Sequence, residues 1–223
     1  MTSLRFSKIG MITQYEDGSF GIDPIPGLGG LFDTAIEYLE AWADTARFPL
    51  SESTIRRTLP SDSDLADEIV ISIRDFPARL KEEIRKLTLA DGPFPLHHPD
   101  FRHSNVIVDE EYRVLSVIDW ENASTLPWEL VDFSSFLHTV PRAIDAPWNY
   151  DAQGNPVDKK TRQRWAEREG YIKSVAEAEA EGNRDKKLSA TLASSEIQNL
   201  ASAVRLNHDP GKVGFYCRIF DQI

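Results

Sequence analysis

One cysteine, Cys217, stands in 223 residues, so the chain can form no internal disulfide and no zinc site built from several thiolates. No segment approaches the roughly twenty apolar residues that span a bilayer. Residues 1–6 also lack the apolar stretch of a secretory signal, so a cytoplasmic protein is expected, with no membrane partner. Positive charge is scarce: 25 Lys and Arg against 36 Asp and Glu leave a formal net charge of −11. That balance argues against a nucleic-acid partner and would attract a cationic small molecule, although an acidic surface also serves solubility alone. There is no Gly-x-Ser-x-Gly elbow of the kind a serine hydrolase uses. Gly27-Leu28-Gly29-Gly30 has neither the six-residue glycine pattern nor the lysine of a phosphate loop, and reads as a turn before a helix. No internal repeat and no low-complexity tract is present.

What is present concentrates in residues 97–121, HHPDFRHSNVIVDEEYRVLSVIDWE. Val106, Ile107 and Val108 form a short apolar run, Asp109 to Tyr112 supply a turn, and Val114 to Ile118 form a second run. Two antiparallel strands joined this way return Asn105 and Asp119 to the same end. Phosphoryl transfer asks for a carboxylate to accept the proton of the attacking hydroxyl, and for oxygen ligands to a magnesium ion on the phosphates. Asp100 can supply the first, Asn105 and Asp119 the second. Taken alone, an exposed Asp-Asn pair is a loop that caps its own turns; the hairpin ending in Asp-Trp makes the pattern specific. A rival reading takes His97, His98, Asp100 and His103 as ligands of zinc or another transition metal. The helical His-Glu-x-x-His spacing is missing, and that reading gives the hairpin no purpose.

The spacing His98, Asp100, Asn105, then a hairpin closing on Ile118-Asp119-Trp120, resembles the aminoglycoside phosphotransferase-like kinases of the protein-kinase-like fold. The resemblance implies Asp100 as catalytic base, Asn105 and Asp119 as magnesium and nucleotide-side ligands, and His98 as a brace of the loop. It also implies ATP and Mg2+ as cofactors and a small-molecule acceptor. Pro99 stands where the pattern prefers glycine, fixing one backbone angle and removing an N–H. The run Leu126–Phe133 and the tail around Asp209-Pro210-Gly211-Lys212 look like fungal-type members. Upstream of His97 the glycine-rich strand pair and strand lysine that cover ATP phosphates in such kinases have no counterpart, Lys8 being the only lysine before the second helical region. The likeness is thus to the C-terminal lobe without its N-terminal β-lobe. Two functions follow: the catalytic lobe of a truncated phosphotransferase, or a kinase-like lobe that binds without catalysis.

Along the chain, 41% hydrophobic residues suffice for one domain over 1–223. The expected class is mainly α with small β-hairpins (α+β). Residues 1–31 read as a glycine-rich lead-in in which Ile9–Thr13 and Ser19–Ile22 pair across Glu16-Asp17-Gly18. A helix follows Thr34, whose spacing to Glu37 fits a capping box, with Ile36, Leu39 and Ala43 inward and Tyr38 and Trp42 on a neighbouring stripe. Residues 51–63 read as a polar connection. A second helix from about Asp64 carries Leu65, Ile69 and Ile73, and Pro77 should break or kink it. Pro127 can open a helix through Trp128, Leu130, Phe133 and Leu137. Within it, Asp132 is either a brace of the loop, as the resemblance suggests, or a surface carboxylate. The loop 141–156 carries Asp145, Trp148, Tyr150 and Asp151, and two readings stand: they hold a cationic or sugar-like acceptor, or Trp148 just anchors the loop to the core. Helices are expected from Lys159 to about Glu181, from Lys186 to about Leu206, and from Lys212, with Glu177, Glu179 and Glu181 on an exposed stretch.

Overall fold

The computed structural model describes residues 3–59, 65–87, 89 and 91–222. The expected start of the second helix at Asp64, and the end of the polar connection at 60–63, fall outside them. Three short strands open the chain: β1 (Arg5–Phe6), β2 (Met11–Gln14) and β3 (Phe20–Asp23). β2 and β3 pair antiparallel from Met11↔Asp23 to Gln14↔Phe20. Gly18 turns between them at φ +82°, a backbone state in which a side chain is strained.

Helix α1 (Ala35–Thr45) starts as its sequence asks. The Thr34 side chain accepts from Glu37 N–H while the Glu37 carboxylate reaches back to the Thr34 N–H. Its buried face is Ala35, Tyr38, Leu39, Trp42 and Ala43, so the aromatic stripe faces the core and Ile36 lies at its margin. The polar connection contains a short helix, α2 (Glu52–Thr58), capped by Ser51. Helix α3 (Leu65–Glu83) runs through Pro77 without a break. A mid-helix proline costs about 3 kcal/mol. Buried Ile69, Val70, Ile73, Phe76 and Leu80 outweigh it, at about 1.5–3 kcal/mol for each fully buried large side chain. The charged face of α3 is solvated as expected, with Lys81 on Asp44, and Arg85 in the 3-10 turn Ile84–Lys86 that follows it on Glu40, tying both to α1.

Strand β4 (Phe94–His97) leads into the 97–121 stretch, which folds as β5 (Val106–Val108) and β6 (Val114–Val117), and β7 (Ser124–Thr125) follows. β5 and β6 form a separate two-stranded hairpin, while the other strands make one sheet in the order β1-β4-β7-β2-β3. The expectation of small hairpins alone was therefore too modest. Two-residue strands are too short to show an alternating pattern, and their pairing is set at long range. Thr125, wholly buried, accepts from Gly10 N–H at 2.9 Å and donates to the Lys8 carbonyl at 2.8 Å, fastening the glycine-rich lead-in to β7.

The expected helix after Pro127 is two 3-10 turns, Trp128–Leu130 and Ser135–Leu137. Between them the chain makes competing side-chain bonds: Asp132 caps Phe133 N–H at 2.7 Å, and Ser135 Oγ donates to the Phe101 carbonyl at 3.2 Å. Helix α4 (Lys159–Glu181) ends at Gly182 with Asn183 left-handed, as the sequence suggested. The next helix divides into α5 (Lys187–Ala193) and α6 (Ser195–Leu206), because Ser194 caps α6 by accepting from Ile197 N–H. Glu179 is not on an exposed stretch. It is buried and accepts from Leu188 and Ser189 N–H, supplying the cap that α5 lacks from its own flank. The chain closes in a 3-10 segment, Tyr216–Gln222, carrying buried Cys217. Tyr216, Ile219 and Phe220 join Leu39, Trp42, Phe76, Leu80 and Phe94 in the main core. A smaller cluster of Phe133, Leu137 and Leu192 seats α4 and α5. Among the described residues no helix is long and apolar enough to cross a membrane.

Candidate active site

β4 delivers His98 to the start of a loop, and His98 is only 3% exposed. Its Nε2 lies 2.9 Å from the Ile118 carbonyl, and its Nδ1 lies 3.2 Å from the Asp100 N–H. A carbonyl can only accept and an amide N–H can only donate, so these partners select the Nε2–H tautomer. The ring also packs against Trp120, with centroids 4.8 Å apart. One side chain thus joins the loop at 98–100 to the far end of the hairpin. Pro99 does not disturb this, since the amide the loop uses is that of Asp100.

Asn105 makes the second tie. It is buried, and its Nδ2 donates to the Asp100 carbonyl at 2.9 Å and to Asp100 Oδ2 at 3.3 Å. Its own backbone carbonyl accepts from Ile118 N–H at 3.0 Å, closing the hairpin one residue short of Asp119. The turn at the other end is held by Tyr112 N–H on the Asp109 carbonyl at 3.0 Å, with Tyr112 at φ +62°. Asp119 itself is left-handed at φ +65°, a state that Asp tolerates better than most residues and that recurs at functional sites. It is exposed and makes no hydrogen bond or ion pair among the described residues.

His98, Asp100 and Asn105 are therefore brought together, and the peptide before Asp119 is gripped from both sides by His98 and Asn105. The sequence did not reveal the ion pair between Arg102 and Asp100. Arg102 is more than half exposed, and a surface pair of this kind is worth about 0–1 kcal/mol. The Arg102 position two residues on was the available signal. Nor did it reveal Ser135, which grips the Phe101 carbonyl from the other side.

Asp132 corrects both earlier readings. Its side chain is 9% exposed, so it is no surface carboxylate, and its partners are Arg205 Nε at 2.9 Å and its own neighbour Phe133 N–H, with His138 Nε2 3.5 Å away. The loop's brace from this region is Ser135. The transition-metal reading also fails. His98 is committed to the loop, His103 stacks on Phe136 at 4.1 Å, and no three His, Cys, Asp or Glu side chains group as a cage among the described residues. Burial pushes the His97 imidazole down to about 4. In the loop 141–156, Asp145 is occupied by Ala146 N–H, Asn149 and the Tyr150 hydroxyl, and Trp148 is half exposed. A cavity beside it takes no residue from 97–121.

The remaining oxygen donors suit a hard cation. Asn105 spends its Nδ2 on Asp100 and leaves Oδ1 with only a 3.3 Å contact from Ser104, while Asp119 is unpaired among the described residues. A family model described as "Phosphotransferase enzyme family" matches residues 29–171, from just before α1 to the middle of α4, with the whole 97–121 stretch inside it. No curated protein sequence and no solved structure matches the chain.

Proposed function

Because the chain belongs to the phosphotransferase enzyme family, matched over well more than half its length, we propose that residues 97–121 form the site of Mg2+- and ATP-dependent phosphoryl transfer to a hydroxyl of a small polar molecule. The observation that carries this reading is the double tie of His98 and Asn105. Two side chains and one backbone bond hold Asp100 and the approach to Asp119 in one place, although nineteen positions separate them in sequence.

In this reading Asp100 accepts the proton of the acceptor hydroxyl. Asn105 keeps one carboxylate oxygen of Asp100 oriented, and Arg102 covers the other. An incoming hydroxyl displaces Arg102 at small cost, since the pair is largely solvated. Asn105 Oδ1 and the Asp119 carboxylate would hold the metal, which when bound neutralises charge on the phosphates. His98 touches no reacting group. It is a positioning residue that fixes the peptide before Asp119. The acidic chain favours an acceptor that is cationic or sugar-like.

Elements that cover the phosphates are expected from a neighbouring lobe. The β5–β6 hairpin supports that expectation: Ile107, Val114 and Leu115 on its strands, with Ile118 just after them, are 43–65% exposed, apolar surface left to water on both faces of the ribbon. Calorimetric titration with Mg-ATP tests the reading. Saturable, magnesium-dependent binding is expected, lost in Asp119→Ala while the thermal melt stays unchanged. Binding that survives Asp119→Ala would overturn the metal assignment.

A further inference from the structure

A cavity of about 490 Å3 adjoins the candidate catalytic loop, its wall including His97, His98, Pro99 and Phe101 but none of Asp100, Asn105 or Asp119. It is thus a different space from the phosphoryl-transfer site, bounded by the residues on either side of the catalytic aspartate. Its volume falls in the range of small-molecule sites, about 300–1,000 Å3. Most of its wall is apolar, contributed by Leu126, Leu188, Leu192 and Val204 among others.

One side of the wall is charged, and with the arginine that stands behind it the charges do not balance. Asp132 and Arg205 line the cavity as an ion pair, Arg205 Nε on Asp132 Oδ2 at 2.9 Å. Arg168 stands behind them, close enough to feel both Asp132 and Arg205, with its guanidinium 4.3 Å over the Phe133 ring and its Nε on the Leu137 carbonyl. Arg205 is thus in contact with the carboxylate, and Arg168 interacts with it at longer range. The Nη2 atoms of both Arg168 and Arg205 are buried with no hydrogen-bond partner. Arg205 makes no other hydrogen bond among the described residues, and a third of its side chain remains exposed. The histidines do not restore the balance. His138 donates Nε2 to the Phe133 carbonyl at 2.7 Å, and burial holds its imidazole below the ordinary range, as it does for His97. Both are neutral near pH 7, so Asp132 and Arg205 on the wall together with Arg168 behind it carry one positive charge in excess, within a strongly acidic chain. A buried charge without a counter-ion is costly, and a guanidinium fork is matched by a carboxylate.

We propose that this cavity binds a small monocarboxylate with an apolar body, the carboxylate on Arg205 and the body among Leu126, Leu188, Leu192 and Val204. The single excess charge selects a monoanion over a dianion. The apolar walls select a hydrocarbon or aromatic acid over a polar one. The site stands whether or not the loop transfers phosphate, because Asp100, Asn105 and Asp119 take no part in its wall, and His98, which does line it, is not one of the groups that hold the carboxylate or the apolar body.

The experiment is calorimetric titration of the whole chain, without nucleotide, using sodium octanoate and octan-1-ol as its neutral match. Octanoate is expected to bind saturably at one site, and octanol at least about tenfold more weakly. Arg205→Gln should weaken octanoate by at least about tenfold and leave octanol unchanged. Ala201→Leu, which fills the cavity without touching its charge, should abolish both. No saturable octanoate binding, or octanol binding equally well, overturns the proposal. If Arg205→Gln does not fold, Ala201→Leu decides alone: undiminished octanoate affinity in a variant with an unchanged circular-dichroism melt also overturns it.

Discussion

Replacing His98 with alanine tests whether this side chain is the clasp between the loop and the hairpin. The substitution removes two hydrogen bonds at once, one to the Ile118 carbonyl at 2.9 Å and one from the Asp100 N–H at 3.2 Å. Each orphaned backbone group costs about 1–3 kcal/mol if it stays buried. The Asp100 amide sits in a half-exposed loop and can recover water, whereas the Ile118 carbonyl loses the buried His98 ring that it meets. A small void is added where the imidazole met the Trp120 ring. Together these give a destabilisation of about 2–4 kcal/mol, a large share of a typical domain's stability. Urea unfolding should show a lower midpoint at an unchanged slope, because the loss is local and the surface exposed on unfolding is the same. Hydrogen exchange should accelerate at Ile118, whose N–H closes the hairpin on Asn105, and much less at Tyr216 in the main core. A midpoint shift under about 0.5 kcal/mol, the size of an ordinary surface substitution, would refute the clasp. So would exchange that rises uniformly across the chain, since that reports global loosening and not release of one joint.

Three further outcomes follow from other parts of the molecule. Glu179→Ala should cost about 1–2 kcal/mol in urea unfolding, because Leu188 and Ser189 N–H lose the acceptor that caps α5; a neutral result would mean that the cap is dispensable. Stability should fall with acidity: His97 binds its proton near pH 6.5 when unfolded but only near 4 when folded, so its contribution is complete above about 6.5 and is lost as pH drops toward 4. The loss is at most about 3 kcal/mol, His208 adds in the same direction, and His97→Gln should flatten the pH dependence measured by thermal melts. Asp119→Ala should abolish magnesium-dependent phosphoryl transfer without moving the melting temperature, given an exposed carboxylate with no partner among the described residues; turnover that persists would show that the ion is held elsewhere.

Local signals were enough for the parts of this protein that are stabilised locally. The Thr34–Glu37 cap, the Gly18 turn, the break at Gly182-Asn183 and the ribbon from Val106 to Val117 each involve residues within a few positions of one another, so spacing alone announced them. The ribbon's return also placed Asn105 beside Ile118, and with it the approach to Asp119. What the sequence could not decide was settled by partners far away along the chain. Buried packing along α3 outweighed Pro77, Thr125 tied the lead-in to a strand more than a hundred residues later, and Arg205 turned Asp132 away from the loop that Ser135 braces instead. In each of these cases the deciding term is desolvation or a hydrogen bond that exists only once distant segments meet. No local pattern carries that information, and the charge imbalance between Arg168, Arg205 and Asp132 became visible only after three separate elements had been folded around one cavity.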